Sequence, residues 1–300
     1  MLTALISGVA VYYNSIAVKG LDPVGFAMAK NLLAALVLAG ALLMLGTWKQ
    51  FAKFTRAQWV QLLGIAVVGG SVPFALFFSG LSMAASPASG SFVYRLLFLF
   101  SAVFGIAFLR EKLNFKTVAG VGIILAANLV LLLNLSAFSF GLGEALVLAA
   151  TLMWSAENVL LKKALAWISP DALAAARLGL GGMILLAAMA AWNAAMPGAS
   201  VGSLASLAAL PLLPLLVSAL LIVGFTMTYY RGLAGLAVSE ATAILTLGGL
   251  VSALMPALLG SKLPGSLESV SLVLIALGAG LVLASARSVS AKPTPVLAEA

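Results

Sequence analysis

The sequence predicts an all-α polytopic membrane protein, with ten transmembrane helices arranged as two inverted five-helix repeats. Three observations carry this. Of 300 residues, 63% are hydrophobic and only 8% charged, with a mean hydropathy of +1.20; a soluble domain carries about 25% charge, so lipid must be the solvent for most of this surface. Apolar stretches of about 20 residues, the length that crosses a bilayer, follow one another along nearly the whole chain. The chain also repeats itself at about half its length.

The spans are predicted at 2–18, 24–45, 58–81, 87–108, 116–134, 141–165, 172–192, 208–230, 238–259 and 268–286. The breaks between them carry turn residues or charge: LDP at 21–23, WKQFAKFTR at 48–56, REKLNFK at 110–116, ISPD at 168–171, MPGAS at 196–200 and SKLPG at 261–265. The opening MLTALISGVAVYYNSIAV lacks a charged leader region and a clear small-residue cleavage site, so it is expected to be a span and not a signal peptide. The tail at 288–300, with two prolines and no periodicity, is expected to be a disordered cytoplasmic extension.

Orientation follows from the basic residues. With the N-terminus inside, the cytoplasmic loops and tail hold Lys49, Lys53, Arg56, Arg110, Lys112, Lys116, Lys162, Lys163, Arg231, Arg287 and Lys292, against Lys19 and Lys262 opposite. Cytoplasmic loops are enriched in Lys and Arg, so both termini are expected in the cytoplasm of a cell (inner) membrane protein. The net charge of +8 is thereby explained without a nucleic-acid partner. The expected partners are the bilayer and a small-molecule substrate, with the chain a monomer or homodimer.

The repeat is visible in paired landmarks. Pro23 is followed seven residues later by Lys30, and Pro170 by Arg177; FFSGL at 77–81 matches YYRGL at 229–233. The offsets run from about 147 to 152 residues. Five spans per half is an odd number, so the second half enters the membrane with opposite polarity. The expected units are 1–136 and 137–287. Such inverted repeats are common in transporters, with the site near the midplane between them.

The arrangement resembles the EamA-type families of the drug/metabolite transporter superfamily. The matching residues are Lys19, the LDP turn with Lys30, the run GLSMAASPASGSFVYRLLFLFSAVFGIAFLREKL at 80–113, and its weaker echo GLAGLAVSEATAILTLGGLVSALMPALLGSKL at 232–263. Two positions depart from the family pattern: Lys30 stands where Arg is usual, and Ser261-Lys262 replaces the acid equivalent to Glu111. The resemblance implies a secondary-active or facilitative transporter, an exporter, working by alternating access on a small organic metabolite.

Chemistry must come from polar residues inside spans, which are costly in lipid and need a reason. Cysteine and histidine are absent, which removes thiolate and imidazole chemistry and the zinc and haem sites built from them. No GxxxxGK[ST] is present, so ATP is not expected to bind. No cofactor, no metal and no catalytic residue is expected. A lipid-modifying membrane enzyme and a small-solute channel are the alternatives.

The pathway candidates are Asn14, Ser15, Tyr94, Arg95, Trp154, Glu157, Asn158, Phe78 and Tyr230. Trp154, Glu157 and Asn158 share a helical face, and Asn14 and Ser15 hold the repeat-related positions. The two polar pairs either bind substrate or a proton, or bond across helices to hold the bundle; Glu157 can also pair with Lys162 or Lys163. Phe74, Phe77 and Phe78 correspond to Thr226, Tyr229 and Tyr230, and read as an interfacial belt or as a pathway wall. Arg95, with Tyr94, Ser91 and Phe98, either holds a substrate carboxylate or pairs with Glu157 or Glu240. Arg95 for a carboxylate and Glu157 for an amine favour an amino acid or similar zwitterion. Lys30 and Arg177 read as cations snorkelling to headgroups. Glu157 and Glu240 are the candidates for proton coupling, with helix capping the competing role for Glu240.

Overall fold

In the computed structural model, the described residues are all except 85–86, 134–139, 199–200, 261–264 and 291–300. Lys262, Lys292, the SKLP segment and most of the tail therefore lie outside the description, as do the side chains of Ser15, Ser91 and Arg287. Among the described residues there are helices and turns and no strands.

The chain forms α1 (Leu2–Ala17), α2 (Pro23–Leu45), α3 (Arg56–Ile65), α4 (Val72–Met83), α5 (Pro87–Arg95), α6 (Leu97–Leu109), α7 (Phe115–Leu133), α8 (Leu142–Ala164), α9 (Pro170–Ala195), α10 (Leu212–Gly235), α11 (Val238–Leu245), α12 (Leu247–Leu258) and α13 (Ser266–Ser290). Taking end-to-end pieces together, 8 helices are long and apolar enough to cross a membrane, and Leu2–Asn14 and Phe115–Val130 are shorter apolar segments. The starts follow local chemistry. Asp22 and Ser169 cap α2 and α9, each with proline at the first helical position, where its missing N–H costs nothing.

Three expected spans are broken. α3 and α4 are joined by a π-helical stretch, Ala66–Ser71; α5 and α6 meet at Leu96, and α11 and α12 at Thr246. The first break has a readable cause. Pro73 has no N–H to offer the carbonyl four residues back, which belongs to Gly69. The Ser71 hydroxyl donates to the Ala66 and Val67 carbonyls instead, at 3.0 and 3.3 Å, and the Gly69 carbonyl is left for other partners.

Packing follows a two-fold pattern. α7 lies on α13, α2 on α9, and α6 on α11, while α4 against α8 is matched by α10 against α1. Small residues allow these approaches: a Cβ at Gly120 would sit 2.6 Å from the Gly278 carbonyl, and one at Gly278 2.7 Å from that of Gly120.

The turns gather at two ends. At one, the Gln50 amide donates to Ser169 Oγ at 3.0 Å, Arg231 pairs with Asp171 at 2.9 Å, and Lys162 donates to the carbonyls of Leu233, Ala234 and Leu236. There too Glu111 accepts from the Val238 and Ser239 N–H groups, at 2.5 and 3.1 Å. At the other end Asp22 accepts from the N–H groups of Gly202 and Ser203 at 3.1 and 3.0 Å and from Ser206 Oγ at 2.9 Å.

Candidate functional site

A cavity of about 310 Å³ lies between the two halves, walled by α1, α2 and α4 to α7 from one and by α8 to α13 from the other. Among the described residues its one acid is Glu157 and its three basic groups are Lys30, Arg95 and Arg177.

Glu157 and Arg177 form the buried centre. Arg177 Nε and Nη2 donate to the two carboxylate oxygens, the Nη2 bond being 2.9 Å. Nη2 also donates to the Gly69 carbonyl at 2.9 Å, and Trp154 Nε1 donates to the same oxygen at 3.0 Å. The carbonyl freed by Pro73 thus becomes the anchor for both a guanidinium and an indole. Gly69 has no alternative: a Cβ there would fall on the Glu157 carboxylate. A bidentate pair whose guanidinium also donates to a backbone carbonyl is a geometry that makes buried charge tolerable.

Around this centre stands an aromatic wall. Phe74 meets Trp154 edge-on with centroids 5.3 Å apart, and Phe77 packs on Tyr94 at 5.1 Å and Trp154 at 5.2 Å. Lys30 Nζ lies 5.0 Å from the Phe74 centroid and 5.2 Å from that of Phe78, and Arg177 stands over Phe74 at 5.7 Å.

Asn158 donates to Ser101 Oγ at 3.1 Å and accepts from Tyr229 Oη at 3.0 Å. Asn14 Oδ1 accepts from Ser218 Oγ at 2.7 Å. Asn14, Tyr94, Arg95, Trp154, Glu157, Asn158, Phe78 and Tyr230 all line the one cavity. Asn14 makes no hydrogen bond to Glu157 or Asn158 among the described residues; each polar group is instead bonded to a neighbouring helix. Glu240 is elsewhere, in the first turn of α11, where it accepts from the Ala237 N–H at 3.4 Å.

Several readings are corrected. Lys30 and Arg177 do not snorkel: they are 3% and 7% exposed and turn inward. Phe74, Phe78, Tyr229 and Tyr230 are buried and line the cavity, so they are not an interfacial belt. Glu157 pairs with Arg177 and not with Lys162 or Lys163, and Arg95 forms an ion pair with neither Glu157 nor Glu240. The Pro-plus-seven cation pair was the signal for Lys30 and Arg177; length of side chain alone did not tell which way each pointed. Asn128, whose amide donates to the Ile124 carbonyl while its oxygen stays unbonded, is not among the expected site residues although it is a polar residue inside the predicted span 116–134. The same holds for Glu144, in the predicted span 141–165, buried at the start of α8 and accepting from Ser89 Oγ at 2.5 Å.

The model of the EamA-like transporter family matches residues 1–133 and again 141–284. The chain belongs to the EamA-like transporter family. The match in two segments is the two-repeat architecture seen in the packing. A solved structure titled "Crystal structure of protein" has the same fold, with a TM-score of 0.72 at 20% identity over 97% of this chain and 96% of that one. No curated protein matches the sequence.

Proposed function

We propose that this EamA-family protein is a carrier, not an enzyme, that moves a small organic metabolite by alternating access, in the direction of export. The observation that carries the proposal is the cavity: lined by aromatic and polar side chains, set between the halves, and walled by both. In this reading the chain spans the membrane ten times, as two inverted repeats (1–136 and 137–287). The junctions support inversion. The turn after α1 lies at the Asp22 end, and the turn after its counterpart α8 lies at the opposite, Ser169 end. The basic loops carrying Lys49, Lys53, Arg110, Lys162 and Arg231 gather at that second end, which we take as cytoplasmic.

The cargo carries an acid group. The one acid of the lining, Glu157, is engaged through both oxygens by Arg177, so the lining offers a substrate amine no uncommitted carboxylate. Transport then runs on the solute gradient, since Glu157 is half of an ion pair and Glu240 caps a helix.

Counterflow in proteoliposomes tests the carrier reading. A preloaded metabolite mixture should drive saturable uptake of a labelled component. Unitary currents under voltage clamp, or uptake linear in concentration with no trans-stimulation, would make the protein a channel.

A further inference from the structure

The lining of the cavity holds more basic than acidic groups. Arg177 is matched by Glu157, which leaves Lys30 and Arg95. Lys30 is 3% exposed, and its ammonium makes no hydrogen bond or ion pair among the described residues; it rests only on the faces of Phe74 and Phe78. Arg95 has no ion pair or hydrogen bond among them either, but Glu268 at the start of α13 acts on it electrostatically, and it lies near Gly249 in the opposite wall; Lys30 is therefore the less compensated of the two. Contact with an aromatic face stabilises a cation by about 0.5–2 kcal/mol, well short of what removing an ammonium from water costs. In the same lining, the buried Tyr230 hydroxyl has no hydrogen-bond partner among the described residues. The cavity thus offers two unpartnered donors, Lys30 and Tyr230, and its unbonded side-chain acceptor, Asn128 Oδ1, is neutral and cannot balance the ammonium charge.

We propose that this cavity selects an organic anion: an apolar or aromatic body against Phe77, Phe78 and Trp154, with its acid group on Lys30, and Arg95 adding to the attraction. The inference deepens the carrier reading and rests on it only for transport; binding is separable. An amine is neither required nor favoured, since the excess positive charge repels it and the single acid is occupied.

Three compounds of one skeleton make the test: 3-phenylpropionate (anion), phenylalanine (zwitterion) and phenethylamine (cation). Binding is read as the shift in melting temperature of the purified, detergent-solubilised protein, and transport by counterflow in proteoliposomes. The expected order is 3-phenylpropionate first, phenylalanine no better, and phenethylamine without effect. Lys30→Met should weaken 3-phenylpropionate binding by about tenfold to a hundredfold, the size of a lost charge-assisted bond. Lys30→Arg should retain it, and the unliganded melting curve of each variant reports whether it folds. Stronger binding of phenethylamine, no binding of 3-phenylpropionate, or unchanged affinity in a folded Lys30→Met protein overturns the proposal. Binding without counterflow would uphold the anion site and refute the carrier; counterflow of phenethylamine alone would do the reverse.

Discussion

At the scale of residues, the site rests on a charge pair and a glycine. Removing one partner of a buried ion pair leaves the other uncompensated, at a cost of about 3–5 kcal/mol. Glu157→Gln and Arg177→Met should each lower the melting temperature sharply, whereas the double variant should recover much of the loss. Thermal melts of the three proteins decide it: additive destabilisation would mean that the two side chains stabilise the fold independently. Sequence reading found Glu157, Asn158, Trp154 and Arg95 because polar and basic residues in a span are conspicuous. It misjudged Lys30 and Arg177 because a long side chain about two turns from a helix start can reach either headgroup or interior. Their burial, with both cations near the Phe74 ring, settles which.

At the scale of elements, the breaks place the chemistry. The π-helical stretch before α4 exists because Pro73 cannot donate, and it delivers one carbonyl to Arg177 and Trp154 together. Such stretches are frequent at functional sites. Pro73→Ala restores a competing N–H for that carbonyl. The variant should stay helical by circular dichroism while 3-phenylpropionate binding weakens by about tenfold, the value of roughly one redirected hydrogen bond. Unchanged affinity would show that the freed carbonyl does not shape the cavity. The sequence displayed Pro73 and the Gly69-Gly70 pair, but hydropathy reads 58–81 as one unbroken span. Hydropathy averages over side chains, and the break concerns which backbone carbonyls lack a donor.

At the scale of the molecule, composition and repetition made the architecture legible before any coordinates. Lipid solvation admits only helices and closed barrels, and landmarks such as Pro23 and Pro170 open two helices, α2 and α9, that pack on each other. What the sequence could not show is how the halves interlock. Counterparts such as α4 and α10 do not pair with each other but with the first helix of the opposite half, α8 and α1. That exchange surrounds the cavity with both halves, and it is why rocking of one half against the other would expose the cavity to each side in turn.

The chain has no cysteine, so a single one at Val11, in the cavity wall on α1, reports access without background. Labelling of Val11→Cys by a membrane-impermeant maleimide, applied from either face of oriented vesicles, tests the alternating-access claim most directly. The account predicts reaction from both faces, with cross-linking of Leu233 to Lys162 through introduced cysteines, which fastens the α10 turn to α8, abolishing reaction from that face alone. Reaction from one face only, or from both faces after cross-linking, would contradict it.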